Sequence, residues 1–390
     1  MNHNLFIALL CFLAFAVAWL VYYPALRFAR RHDILDNPNE RKLQRVPVPV
    51  FGGVVVFSGV LVAMAAAMCF GDCRELGVGL FIMAVMMLIG VFDDMRDMSA
   101  HLKFFLEILI VFMLMGFGGN YIDDFHGLWG MDEVTFWFSL PLSIIAGVGI
   151  INAVNLIDGV DGYLSGYGMM ACVFFALMFF DVGDVAMGTF AVIFACAMLP
   201  FFLHNVFGDR TKMFMGDGGS LMTGTAMTIV VFAMLSSNSM CRELAYKGVG
   251  LIPFSLAVLS IPVFDTLRVM TSRIIKGKVP FHPDKTHLHH LFIDYGFSHL
   301  GTALSILFIN QLIVAAWYVS YRLGASIDVQ LYIVVGLSVL MTFGFYRYMR
   351  RQMELKSSVY HFMRTLAGRS RMEQLAVWPK IRSILDSVLK

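Results

Sequence analysis

Charged side chains are scarce in this chain of 390 residues: they make up 14% of it, against about a quarter in soluble domains. Hydrophobic residues reach 59% and the mean hydropathy is +0.75, more apolar surface than a soluble fold could hide. The expected solvent is therefore the bilayer. Cysteine is sparse and unpatterned. Cys11, Cys69, Cys73, Cys172, Cys196 and Cys241 form no CxxC pair and no metal spacing, so they read as small buried hydrophobes. No G-x-x-x-x-G-K-[ST] segment occurs, which argues against a nucleoside-triphosphate loop. There is no internal repeat, low-complexity tract or separate soluble domain. The N-terminal apolar run precedes its basic residues Arg27, Arg30 and Arg31, the reverse of a secretory signal, and is expected to be a retained first span.

A spanning helix needs about 20 mostly apolar residues. Eleven runs qualify: 4–26, 50–70, 76–92, 104–119, 136–154, 164–180, 185–204, 218–236, 248–271, 300–320 and 328–348. The fold expected is an all-α integral membrane protein with about eleven transmembrane helices. Residues 1–348 form the transmembrane domain and 349–390 a basic tail with interspersed apolar residues, suited to a membrane surface. Eleven spans place every lysine and arginine except Arg74, Arg242, Lys247 and Arg322 on one side. The positive-inside rule makes that side cytoplasmic, with the N-terminus outside and the C-terminus inside.

The unusual polar residues gather on the same side, and carboxylates near membrane depth are expensive enough to imply function. Asp93-Asp94, followed by Asp97, ends the third span, with Lys103 opening the fourth. Adjacent carboxylates need a cation, a lysine or a shared proton; a solvated loop is the bland alternative. Asn152, Asn155, Asp158 and Asp161 recur every third residue, sharing one face of a helical end. Gly159 and Gly162 then break the helix and allow close backbone approach. Met215-Gly216-Asp217-Gly218-Gly219 leads into the eighth span, where a glycine-rich helix start favours anions and an aspartate suits phosphate only by holding a metal. His282-Pro-Asp284-Lys-Thr-His287-Leu-His289-His290, with Arg268, Arg273, Lys276 and Lys278 upstream, could bind phosphate or donate protons; its spacing is not a usual zinc pattern. Lys42 and Arg45, ahead of Pro47, Pro49, Gly52 and Gly53, could meet a phosphate or a lipid headgroup.

These residues, in this order, resemble the polyprenyl-phosphate N-acetylhexosamine-1-phosphate transferase superfamily, glycosyltransferase family 4. Asp93-Asp94 looks like its aspartate pair, Asn152 to Gly162 like its Asn-x-x-Asn-x-x-Asp-Gly-x-Asp-Gly signature, and Asp217 like its magnesium aspartate. The histidine segment is similar to the His-x-Asp-x-x-His-x-His-His loop of the sugar-transferring branch. Leu288 interrupts the three adjacent histidines of the branch that moves phospho-N-acetylmuramoyl-pentapeptide. The resemblance implies transfer of an N-acetylhexosamine 1-phosphate, GlcNAc first among candidates, from a UDP-sugar to undecaprenyl phosphate, with release of UMP. It implies magnesium (with manganese as a substitute), a bacterial cytoplasmic membrane location and, as a family expectation, a homodimer; nucleic acid is not an expected partner.

On that basis Asp93, Asp94, Asp158, Asp161, His287, His289 and His290 are the candidate catalytic residues. Lys42, Lys103, Asn152, Asn155, His282 and Asp284 are candidates for substrate binding. Asp217, assisted by Asp94 or Asp158, is the candidate metal ligand. A phosphate monoester has its second pKa near about 6 and is mostly dianionic at neutral pH, so Asp93 is expected to position more than to deprotonate. A double displacement through a phospho-aspartate, the pentapeptide branch, a secondary transporter and a histidine-loop metal transporter are the rival readings.

Overall fold

A backbone that crosses hydrocarbon must satisfy its own hydrogen bonds, and the chain does so with helices almost throughout. A computed structural model describes residues 3–37, 46–70, 73, 76–96, 98–279 and 285–387. Among the described residues ten helices are long and apolar enough to cross a membrane. They are α1 (His3–Arg31), α2 (Gly52–Phe70), α3 (Gly77–Arg96), α4 (Ala100–Gly118), α5 (Phe136–Leu156), α6 (Tyr163–Asp181), α7 (Val185–Phe207), α8 (Gly216–Leu235), α13 (His299–Arg322) and the span Ile327–Glu354. This last comprises α14 (Ile327–Val339), a π-helical turn and α15 (Phe345–Glu354). The shorter helices are α9 (Arg242–Tyr246), α10 (Leu251–Val258), α11 (Ser260–Ile275), α12 (Leu288–Asp294), α16 (Ser358–Arg369) and α17 (Val377–Asp386).

The run 248–271 is not one straight span. It is the pair α10 and α11, bent by 73°. Pro262 explains the break: it has no N–H to give the Val258 carbonyl four residues back, and its ring crowds that carbonyl. Asn310 of α13 repairs the gap. Its amide donates to the Ala257 and Val258 carbonyls at 3.3 and 3.1 Å, and its oxygen accepts from the Ile261 amide at 3.3 Å. The bend turns α11 aside and lets it carry Asp265, Arg268 and Arg273 in buried positions.

The centre of the bundle is α8. Every residue from Gly218 to Leu235 except Ile229 is buried, and α2, α3, α5, α6 and α7 all pack on it. Its first turn comes very close to its neighbours. A Cβ at Gly90 would lie 2.5 Å from the Asp217 carbonyl, and one at Gly53 would lie 2.4 Å from the Gly219 amide. A short antiparallel ladder pairs β1 (Leu35–Asp36) with β2 (Val48–Pro49). The Phe214 amide then donates to the Pro49 carbonyl, and the Gly52 and Gly53 amides donate to the carbonyls of Phe214 and Met215. That ladder fixes where the Asp217 loop enters α8.

Candidate active site

The acidic pair is helical. The third span runs on past Phe92, so Asp93 and Asp94 occupy the last turn of α3. Two side chains one residue apart on a helix point in different directions, and their partners differ accordingly. Asp93 Oδ1 accepts from the Met98 amide at 2.7 Å, and Oδ2 accepts from Lys103 Nζ at 2.9 Å. Asp94 faces the start of α8: its two oxygens accept from the amides of Asp217 (3.0 Å) and Gly218 (3.2 Å). An anion at a helix N-terminus is stabilised by unpaired amides and the helix dipole. The anion resting on this glycine-rich start is therefore Asp94 itself.

Lys103 is the hub. The Ser99 hydroxyl caps α4, placing Lys103 in its first turn, and Nζ donates to Asp217 Oδ2 at 2.8 Å as well as to Asp93. Asn155 donates to Asp217 Oδ1 at 2.8 Å and to the Ser220 hydroxyl at 2.7 Å. Asn152, one helical step back, donates to Glu107 and to the Val148 carbonyl. Segments far apart in the chain thus meet in one network of Asp93, Lys103, Asn155 and Asp217, with Asp94 and Asn152 at its edges.

Asp158 lies in the turn after α5; the residue keeps an open surface to water, while protein crowds round its carboxyl. Withdrawal from bulk water, followed by the negative fields of Asp217, Asp94 and Asp161, pushes its carboxyl well above the usual carboxylate range. Asp161 has the opposite environment. Burial works against its charge, but His299 at 2.9 Å and Lys212 at 2.6 Å hold its carboxyl below the usual range. Gly162, at φ +76°, donates its amide to Asn205 Oδ1 at 2.7 Å, which ends the turn and starts α6.

The described part of the histidine segment folds against this turn. His287 Nδ1 lies 3.0 Å from Asp265 Oδ2, which also accepts from the Leu288 amide at 3.1 Å. Arg268 holds the other oxygen at 2.7 Å, and its guanidinium donates to the Thr286 carbonyl. With Asp265 accepting, the network assigns the His287 proton to Nδ1. The His287 and His289 rings stack at 5.7 Å, and His290 lies 4.3 Å from His289. Burial, then the neighbouring histidines His290 and His287, keep His289 well below the usual imidazole range, so it is neutral at pH 7. A Cβ at Gly159 would sit 2.6 Å from His289 Nε2. The close approach that Gly159 allows is that of a histidine from the same chain.

Lys42, His282 and Asp284 fall outside the described residues. Five partners carry no mark in the local motifs: Glu107, Lys212, Asp265, Asn205 and His299. Glu107 had a signal, since a carboxylate within an apolar run is costly unless it is used; it is 1% exposed. Asp265 carried the same signal in the 248–271 run. Lys212, Asn205 and His299 look like ordinary residues beside span ends.

Among the described residues no three His, Cys, Asp or Glu side chains converge to enclose a metal ion. Both Asp94 oxygens are engaged by α8. Asp217 holds Asn155 and Lys103 on its two oxygens, and the Asp158 carboxylate accepts no hydrogen bond from the described residues. Such a donor set fits a hard cation held by one or two carboxylates and completed by water and phosphate oxygens, as magnesium prefers.

The family model for glycosyl transferase family 4 matches residues 76–235, the stretch from α3 through α8. The chain is 30% identical over 321 residues to the Bacillus subtilis strain 168 protein named "Probable undecaprenyl-phosphate N-acetylglucosaminyl 1-phosphate transferase", covering 81% of this chain and 84% of that one. It is 28% identical over 291 residues to the undecaprenyl-phosphate alpha-N-acetylglucosaminyl 1-phosphate transferase of Escherichia coli K12, covering 73% and 76%. The Yersinia pestis protein of that name is 27% identical over 288 residues, covering 73% and 75%.

Proposed function

The chain belongs to glycosyl transferase family 4, and from that premise we propose that it transfers N-acetylglucosamine 1-phosphate from UDP-GlcNAc to undecaprenyl phosphate. An oxygen of the lipid phosphate attacks the phosphorus that bears the sugar. The anhydride bond to UMP breaks, UMP leaves, and a lipid diphosphate sugar remains. One anhydride replaces another, so no further energy source is required. The single observation that carries the reading is the Lys103 ammonium shared by Asp93 and Asp217, with Asn155 holding the second Asp217 oxygen.

The barrier is the meeting of two anions, and the residues at the cleft address it by charge and position. Lys103 supplies positive charge beside the attack. Asn155 fixes the rotation of the Asp217 carboxylate, and Glu107 fixes Asn152. His289 enters as a neutral imidazole, able to accept or donate a hydrogen bond but adding no charge. His287, fixed by Asp265, and His290 flank it. Magnesium would be held by Asp217 and Asp158, with Asp94 behind them on the α8 amides. Bound there, it would neutralise the diphosphate. Asp93, tied to Lys103 and Met98, acts as a positioning group.

The positive-inside distribution supports a cytoplasmic active end, an N-terminus outside and a C-terminus inside. The exposed Phe92, Met95, Leu102 and Phe105 around the ends of α3 and α4 offer a lipid-side approach for the polyprenyl chain. Exchange of labelled UMP into UDP-GlcNAc, with undecaprenyl phosphate and magnesium, tests the reading. Lipid-dependent exchange, lost in Asp217→Asn, is expected. Exchange only with the UDP-linked pentapeptide, or none in the wild type, would overturn it.

A further inference from the structure

The loop between α7 and α8 delivers Lys212 to Asp161 and then Asp217 to the cleft. It contains no regular helix or strand, so its backbone must find partners elsewhere. The partner is the far end of the chain. Asp386, in the last turn of α17, accepts through Oδ1 from the amides of Asp209 (3.4 Å) and Thr211 (3.1 Å) and from the Thr211 hydroxyl (2.8 Å). Its Oδ2 accepts from the Arg210 amide at 3.3 Å. Three successive amides converging on one carboxylate form an anion nest. Among the described residues these amides have no other acceptor.

The docking of α17 is specific along its length. Trp378 packs 4.5 Å from Phe207, and Arg382 Nε donates to the Phe207 carbonyl at 3.4 Å. Tyr23 of α1 donates to the Leu385 carbonyl at 3.3 Å. From α1, Tyr22 donates to the Thr211 carbonyl at 2.8 Å and Arg30 to the Arg210 carbonyl. The loop is thus gripped by its amides from α17 and by its carbonyls from α1. The next residue, Lys212, is 2.6 Å from Asp161, and Asn205 donates to the carbonyl of Met213 at 3.0 Å.

We propose that Asp386 is a positioning residue for the transfer site: through the Asp209–Thr211 amides it fixes the backbone from which Lys212 reaches Asp161. Lysine is a point charge on a flexible four-carbon stem, so its place depends on the backbone that carries it. The tail is then a working part of the site. Asp209 and Arg210 lie at the surface and Asp386 is half-buried above the buried Thr211, so water enters the space that Asp386→Ala opens and replaces the lost acceptor. The protein still folds, and the loop loosens.

The inference rests on the transferase reading, so its test has one arm that needs no activity. In full-length Asp386→Ala, amide hydrogen exchange at 209–211 should accelerate about 10- to 100-fold, the equivalent of losing hydrogen bonds to a charged group. Acetylation of Lys212 by an amine-reactive reagent should also accelerate. In the transfer assay, kcat should fall about tenfold, and the double variant Asp386→Ala/Lys212→Met should be no slower than Lys212→Met alone, since the two act as a unit. Unchanged exchange and labelling, or losses in the double variant that multiply independently, overturn the proposal. If the loop responds as expected but the wild type transfers nothing, the clamp on Lys212 stands and the transferase reading falls.

Discussion

Lys103→Met isolates the charge at the centre of the cleft while keeping most of the side-chain volume. The ammonium lies 2.9 Å from Asp93 and 2.8 Å from Asp217, and the three side chains are 19%, 10% and 36% exposed. At about 3 Å and an effective dielectric of about 20, each contact is worth about 5 kcal/mol of attraction before desolvation is subtracted. Exposed pairs retain less than about 1 kcal/mol, and breaking a fully buried pair costs about 3–5 kcal/mol. This partly buried triad falls between, at about 2–4 kcal/mol. If that stabilisation is also felt by the transition state, kcat falls about 30- to 1000-fold. The variant should be assayed for UMP exchange across a magnesium titration, with thermal unfolding in the same detergent. Removing a positive charge beside Asp217 should lower the magnesium concentration needed for half-maximal rate even as the maximal rate drops. A kcat within about threefold of wild type, or a magnesium requirement that rises, would refute the electrostatic role assigned to Lys103.

Gly159→Ala drives a Cβ into His289 Nε2; because the turn lies at the cleft, kcat should fall about tenfold with little change in unfolding temperature, and equal losses in both would argue for a merely structural glycine. Asn310→Leu leaves the Ala257 and Val258 carbonyls and the Ile261 amide without their partner, at a cost of about 2–4 kcal/mol read by thermal unfolding, and adding Pro262→Ala should recover part of it. Asp161→Asn removes a carboxylate whose folded form titrates below its ordinary value. Its stabilising contribution, about 1–3 kcal/mol, is present above the ordinary carboxylate range near pH ~4 and is lost as pH falls through the lower folded value. The unfolding gap between wild type and Asp161→Asn should therefore be present at pH 7 and close only in strong acid; a gap already absent at pH 7 would contradict the pairing with Lys212 and His299.

The membrane character and most of the helices were legible because each span states its hydropathy locally. So were the polar clusters, which stand out against an apolar background. What the sequence left hidden was who meets whom. The sequence sets Asp93 and Asp94 side by side without showing their partners: one faces Lys103 and the other caps a helix that begins more than a hundred residues later. The bend at Pro262 was hidden in an apolar run, because a proline alone does not say whether a distant asparagine will repair the break. Asp386 belongs to an amphipathic tail that by composition could as well lie on lipid. Its role depends on three backbone amides, and backbone amides leave no trace in a sequence.

The helix whose first turn carries Asp217 is wedged on every side by other helices, with glycines at Gly53 and Gly90 admitting it to backbone contact. A close-packed interior of this kind does not deform continuously. Its aspartate therefore works like a fixed anvil: it cannot travel toward an arriving headgroup, so both substrates must be carried to it. Whatever motion a catalytic cycle demands falls to the rim, where the ends of α3 and α4 and the turn after α5 lie exposed. Substitutions deep in that column should be felt as lost assembly of the protein, and substitutions at the rim as altered turnover.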